Sequence, residues 1–283
     1  MSNTQILIFS KDRTLQLNSL IQSLLYFSDV LEGDISVLFK SNKEISYEIL
    51  MDKYKCNFQE EKSFLNDVKN IVQSNQKKYC MFLVDDFIVR DYFSIPLMES
   101  ILGSNKNITP FSLRLGNNIE DGTPPLFINQ PDSVLTWQTN KSYGKSWNYI
   151  WELSSSMYKS TFIMDYLNKC DPQYVNFPNP LESYYYGCTP SQYVTKNRFL
   201  RKLKFLGKAE PKGMASFTVS KGFTQGVNLV ANRNLDYKDL YSPESLHEKF
   251  IEGYGIDYLS LSNVINKKPN AGTDHFKLIK YET

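Results

Sequence analysis

Short, wholly apolar segments alternating with amphipathic helical patterns constrain the fold of this chain more than any other feature. Ile6-Leu7-Ile8-Phe9 reads as a buried strand, and Leu17, Leu20, Ile21, Leu24 and Leu25 then recur at the three- and four-residue spacing of an amphipathic helix. Residues 34–40 read as a second strand through Ile35, Val37, Leu38 and Phe39, and residues 45–54 as a helix. Cys56-Asn57-Phe58 reads as a short strand, residues 64–73 as a helix on Phe64, Leu65, Val68, Ile71 and Val72, and residues 79–84 as an apolar strand. This alternation predicts an α/β fold, Rossmann-like, with a mostly parallel central sheet flanked by helices. In such sheets ligands bind outside the carboxyl ends of the strands.

Two polar features fall at that edge. Ser10-Lys11-Asp12-Arg13-Thr14 follows the first strand, and Asp85-Asp86 closes the strand Tyr79-Cys80-Met81-Phe82-Leu83-Val84. Two carboxylates ending a buried strand are costly as ions unless something positive compensates them. A divalent cation carrying a phosphorylated ligand meets that need, since hard cations take carboxylate and phosphate oxygens. The rival reading is a strand end turning into solvent with two ordinary surface acids.

Several chemistries are disfavoured. No GxGxxG follows the first strand, and no GxxxxGK[ST], HExxH or GxSxG is present. The net charge of +2 and the pI near 8.1 give no footprint for nucleic acid. The cysteines Cys56, Cys80, Cys170 and Cys188 have no CxxC spacing, which fits reduced thiols. No basic segment followed by a long apolar one opens the sequence, and no run approaches the ~20 apolar residues that span a bilayer. The expectation is a cytoplasmic protein.

Beyond Asp86 the pattern loosens. Residues 112–116 read as a strand bearing Arg114, residues 117–133 as a long Asn-, Gly- and Pro-rich loop, and residues 158–167 as a helix. Arg114 is open between approaching a phosphate and pairing with a surface acid. Trp137, Trp147 and Trp151 cluster with Tyr143 and Tyr149, either to stack on a sugar acceptor or to pack in the core. Pro178-Asn179-Pro180-Leu181-Glu182 reads as a stiff turn into a helix, with Glu182 in its first turn. Residues 207–222 read as a loop and residues 243–253 as a helix. Lys196, Arg198, Arg201, Lys202, Lys204 and Lys208 make a basic segment with interleaved apolar residues. It suits either a peripheral contact with an anionic membrane face or a solvated surface.

The order of these parts resembles the GT-A glycosyltransferases, within them the family 2-like group of bacterial polysaccharide enzymes. The resemblance rests on Ile6–Arg13, on the helix at 64–73 with the strand running into Asp85-Asp86, and on Asn179-Pro180-Leu181-Glu182. It implies a GT-A domain over 1–195, a helical C-terminal extension over 196–283 and a nucleotide-sugar donor, most often a UDP-sugar. It also implies Mn²⁺ or Mg²⁺, and a saccharide or lipid-linked saccharide acceptor. By the same resemblance Phe9, Ser10, Lys11, Arg13 and Asp85 meet the nucleotide-sugar, Asp86 binds the metal, and Glu182 is the general base of an inverting transfer, while His275 is either a further metal ligand or a surface histidine near the tail. Trp147 and Trp151 are the expected acceptor platform. The motif departs from a full DxD in having Val84 as its first position, and no aspartate follows the second strand at Lys40-Ser41-Asn42, which leaves the base open. The rivals are a non-catalytic GT-A-like binding domain and a sugar-nucleotide nucleotidyltransferase. The latter normally has a Gly-rich loop where Ser10–Thr14 has no glycine.

Overall fold

The computed structural model describes residues 2–42, 44–185, 212–228 and 241–281. The basic segment 196–208, Cys188 and the expected boundary at 195/196 lie outside the described residues. The N-terminal alternation is realised as β1 (Thr4–Lys11), α1 (Thr14–Tyr26), β2 (Ile35–Lys40), α2 (Glu48–Lys53), β3 (Asn57–Glu60), α3 (Phe64–Ser74) and β4 (Tyr79–Val84). The Asp67 carboxylate fixes the entry into α3, accepting from the amides of Lys62 at 2.8 Å and of the N-cap residue Ser63 at 2.7 Å.

The chain continues through β5 (Phe87–Val89), α4 (Ile95–Ser104), β6 (Ile108–Ser112), β7 (Ile128–Gln130), β8 (Val134–Gln138), β9 (Ser155–Lys159), α5 (Ser160–Leu167) and α6 (Pro178–Tyr185). After the next described stretch, β10 (Gly213–Phe217) and β11 (Gly222–Thr224), come α7 (Pro243–Ile251), β12 (Tyr254–Ile256) and β13 (Leu278–Lys280).

One nine-stranded sheet, in the order β3-β2-β1-β4-β9-β6-β10-β8-β7, organises the molecule. It is parallel across β3-β2-β1-β4 and antiparallel where β9 pairs with β4 and β6. Side chains alternate across it as strand geometry requires. Ile6, Ile8, Met81 and Leu83 face the core under α1, α4 and α7, while Leu7, Phe9, Cys80 and Phe82 face that under α3, α5 and α6.

Three local expectations are corrected. Residues 213–217 are not part of a loop but the buried strand β10, parallel to β6 and antiparallel to β8. Gly213 read as a loop residue is a packing glycine: a Cβ there would stand 2.8 Å from the Asn107 carbonyl oxygen, at an irregularity in the β6–β10 register. β6 ends at Ser112, so Arg114 lies beyond the strand, and residues 155–159 form a strand before α5 begins at Ser160. The C-terminal part therefore supplies an interior strand of the main sheet as well as α7. Among the described residues no helix is long and apolar enough to cross a membrane.

Candidate active site at the carboxyl edge of the sheet

β1 and β4 are parallel neighbours with Phe9 opposite Val84, so the chains leaving them run side by side, tied by the Asp85 amide to the Phe9 carbonyl at 3.0 Å. Their loops form one wall of a cavity of about 600 Å³. Phe9, Ser10, Lys11, Arg13, Asp85 and Asp86 all line it.

Asp85 is buried beneath this wall. Its Oδ2 accepts from the Ser10 hydroxyl and the Lys11 amide, each at 3.0 Å, and its Oδ1 from Arg13 Nη1 at 2.9 Å. The same nitrogen reaches Asp86 Oδ2 at 3.0 Å. Burial pushes the Asp85 carboxyl above its ordinary range, and the adjacent Arg13 guanidinium pulls it back. Burial also opposes the charge on Arg13, but the two carboxylates outweigh it and hold the guanidinium protonated. Asn228 grips Arg13 from the other side, through its Oδ1 on Nε at 2.8 Å and its carbonyl on Nη2. The tight turn needs Asp12 at φ 53°, a left-handed conformation in which Asp is enriched, and the Asn42 amide bonds its carboxylate at 2.7 Å.

One guanidinium is thus shared between two carboxylates at this wall. Asp86 is the member open to the cavity, its side chain 19 % exposed against 5 % for Asp85. Asp86 is the side chain that could hold a hard divalent cation there, in the manner of Mg²⁺ sites that use one or two carboxylates and complete the shell with phosphate oxygens and water. Among the described residues no group of three or more His, Cys, Asp and Glu side chains forms an all-protein metal cage.

Glu182 lines the same cavity. α6 begins at Pro178, so Glu182 stands beyond the first turn expected for it. It faces the cavity rather than complementing the helix dipole. Its Oε1 accepts from the Leu153 amide at 2.7 Å and its Oε2 from the Tyr149 hydroxyl at 3.0 Å. Burial, with Glu152 nearby, pushes its carboxyl up to about 7, against the pull of the Leu153 amide, Arg114 and Tyr149. That places it where a general base works best near neutrality.

Glu152 and Asp165, the other acids of this part of the chain, do not line the cavity. Glu152 is buried, bonded to the Ser154 amide at 2.7 Å and to the hydroxyls of Ser154, Ser155 and Ser156. Asp165 is exposed and outside the cavity lining. Arg114 lines the cavity and turns its Nε to Glu152 at 3.8 Å.

Three expected site residues stand outside the cavity lining. Trp147 and Trp151 are both 0 % exposed and offer no face to a sugar. Trp147 stacks edge-on with Trp137 and Phe127, and Trp151 packs among Phe82, Tyr158, Phe162 and Tyr166. Of that aromatic cluster it is Tyr149 that reaches the cavity. His275 is exposed, at φ 68°, and does not line the cavity. Its turn does run near the site, since Gln225 donates to the Asp274 carbonyl at 3.4 Å and to the Asp86 carbonyl at 2.7 Å.

Sequence reasoning missed Phe64 and Phe177 as lining residues, and the Lys40–Glu61 pair at 3.6 Å. The Asn-Phe-Pro-Asn-Pro run around Phe177 was a readable signal, as an aromatic held by two prolines. Asn228 carried none, because its partner Arg13 lies far away in the chain.

No family model matches this chain. Over 209 residues it is 29 % identical to a bifunctional glycosyltransferase of Dictyostelium discoideum, pgtA, a stretch covering 63 % of this chain and 27 % of that protein. Among solved structures it is similar to a cytidylyltransferase from Leptospira borgpetersenii, with TM-score 0.38 and 10 % identity over 65 % of this chain and 73 % of that one. It is also similar to a 4-diphosphocytidyl-2C-methyl-D-erythritol synthase from Anaerococcus prevotii, with TM-score 0.30 and 10 % identity over 65 % and 83 %. Structural scores this low carry no argument, so the sequence similarity to a glycosyltransferase is the informative comparison.

Proposed function

We propose that this protein is a GT-A-type glycosyltransferase that moves a sugar from a nucleotide-sugar donor to a saccharide or lipid-linked saccharide, with inversion, in surface polysaccharide synthesis. The observation that carries this is a single cavity lined both by an arginine-bridged aspartate pair and by a carboxyl of raised proton affinity. The similarity to a glycosyltransferase supports the same reading. Ser10 and Lys11 line the wall where the donor's diphosphate would lie. Asp86 would hold Mn²⁺ or Mg²⁺, and the ion would neutralise charge on the leaving nucleotide. Glu182 takes the proton of the acceptor hydroxyl as that oxygen attacks the anomeric carbon. Arg13 keeps Asp85 and Asp86 in place, and Tyr149 and the Leu153 amide orient Glu182.

A thermal-shift panel of nucleoside diphosphates and nucleotide-sugars, each with and without Mn²⁺, tests this. Ligands that bind only the native state raise its apparent stability by mass action. The expected result is an Mn²⁺-dependent upward shift with one base, strongest for UDP or a UDP-sugar, and lost in Asp86→Asn. No shift with any nucleotide would refute the donor site.

A further inference from the structure

The acceptor end of the cavity has no platform once Trp147 and Trp151 are placed in the core. Among the described residues the exposed large apolar side chains are scattered over the surface, and Phe177 is the one that borders this cavity. It is 43 % exposed and immediately precedes α6, the helix that carries Glu182. Asn176 and Asn179 line the cavity beside it, both exposed. Neither side-chain amide makes a hydrogen bond among the described residues, and each offers both a donor and an acceptor. Pro178 and Pro180 fix the backbone of the strip, so little further ordering is lost on binding.

An apolar ring flanked by amides matches a pyranose, which presents C–H bonds on one face and hydroxyls at its rim. Charge selects further. Among the described residues, Arg114 is paired with Glu152 at 3.8 Å and bonded to the Ser154 hydroxyl at 3.3 Å, so this cavity-lining guanidinium is not free to select an anionic sugar. We propose that residues 176–179 are the acceptor platform, on which an uncharged hexopyranose stacks against Phe177 and is held at its rim by Asn176 and Asn179, with a hydroxyl turned toward Glu182. This rests on the transferase reading above and adds to it the class of the acceptor sugar and the residues that choose it.

Saturation-transfer NMR on the full chain tests it, with the methyl α- and β-glycosides of glucose, galactose, mannose and N-acetylglucosamine as probes, and methyl β-glucuronide as the charged control. The wild type should transfer saturation to the ring C–H protons of at least one neutral glycoside, in preference to the glucuronide. Phe177→Ala should weaken that binding about tenfold, a loss of one stacked face, and Phe177→Trp should retain it. Asn179→Ala should weaken it without changing which ring protons are saturated. No transfer to any neutral glycoside, preference for the glucuronide, or undiminished binding by Phe177→Ala each overturns the platform. The nucleotide-induced thermal shift, measured on the same samples, separates the two readings. A nucleotide shift without glycoside binding refutes the platform alone. Glycoside binding without a nucleotide shift refutes the donor site and leaves a carbohydrate-binding strip.

Discussion

Arg13 shows how one side chain can hold the acidic groups of a site in place. It spans Asp85, Asp86 and Asn228 with a planar fork, a geometry the single ammonium of lysine cannot reproduce. Arg13→Met should cost about 3 to 5 kcal/mol, because Asp85 stays buried without its cation, and a urea titration would show it. Arg13→Lys should fall between that and the wild type, and a Lys variant of full stability would show that charge alone matters there. Glu182 gives a prediction with a sign. Its carboxyl titrates at about 7 in the folded protein, against an ordinary value of 4.5. The folded state thus binds this proton more tightly than the unfolded chain, so its stabilising contribution is complete below about pH 4.5 and is lost as pH rises through about 7. Glu182→Gln should remove that loss, unfolding at a higher temperature than the wild type at pH 8 by the equivalent of about 1 to 2 kcal/mol, less than full linkage because the side chain keeps some water contact. The same variant should lose turnover. For the wild type, kcat/KM should fall about tenfold per pH unit below about 7. A flat profile from pH 5 to 8 would remove Glu182 from the role of base.

At the scale of elements, the site depends on a small ribbon that holds the aspartates from behind. β11 pairs antiparallel with β5, with Gly222 opposite Val89 and Thr224 opposite Phe87, and the next amide, that of Gln225, binds the Asp86 carbonyl at 2.7 Å. A Cβ on Gly222 would stand 2.3 Å from the Ile88 carbonyl oxygen, too close for either backbone to yield cheaply. Gly222→Ala should therefore part the ribbon, lower stability by about 1 to 3 kcal/mol and weaken the Mn²⁺-dependent nucleotide shift in thermal-shift measurements, though it lies outside the cavity lining. An unchanged shift would mean that Asp86 is held by Arg13 alone. This ribbon also marks the limit of what the sequence discloses. The N-terminal βα alternation was legible because each element there carries its own period, strands as apolar runs and α1 and α3 as apolar stripes. Strand-end loops in a parallel sheet then necessarily converge, which brought Ser10–Arg13 to Asp85-Asp86 on paper. β10 and β11 were not legible, since Gly213 and Gly222 serve close backbone approach and a glycine reads the same in a loop. The tryptophans misled for a related reason: residue type gives no exposure, and the aromatic side chains that line the cavity include Tyr149 and Phe177 instead.

At the scale of the whole molecule, α1 couples the site to residues distant in sequence. It is buried along almost its entire length, from Thr14 to Ile21 without a break, so it needs cover on both faces. The sheet supplies one face, and β5, α7 and β12 supply the other. Thr14 Oγ1 and His247 Nδ1 are 2.8 Å apart, the Ile256 amide donates to Ser19 Oγ at 3.0 Å, and Leu246, Phe250, Ile256 and Leu261 join the core cluster around α1. Burying four such side chains is worth about 6 to 12 kcal/mol before the cost of ordering the segment, comparable with the stability of an ordinary domain. Arg13 occupies the residue just before α1, and its carbonyl takes the Leu17 amide of the first turn at 3.0 Å. Uncovering the helix thus loosens the residue that bridges both aspartates. A chain ending at residue 240 should lose cooperative unfolding in calorimetry and, with it, any nucleotide-dependent shift. If that shortened chain melted cooperatively at the wild-type temperature and still responded to nucleotide, α1 would be sufficiently covered by the sheet and β5. The C-terminal segment would then be an appendage rather than the second wall of the fold on which Arg13 depends.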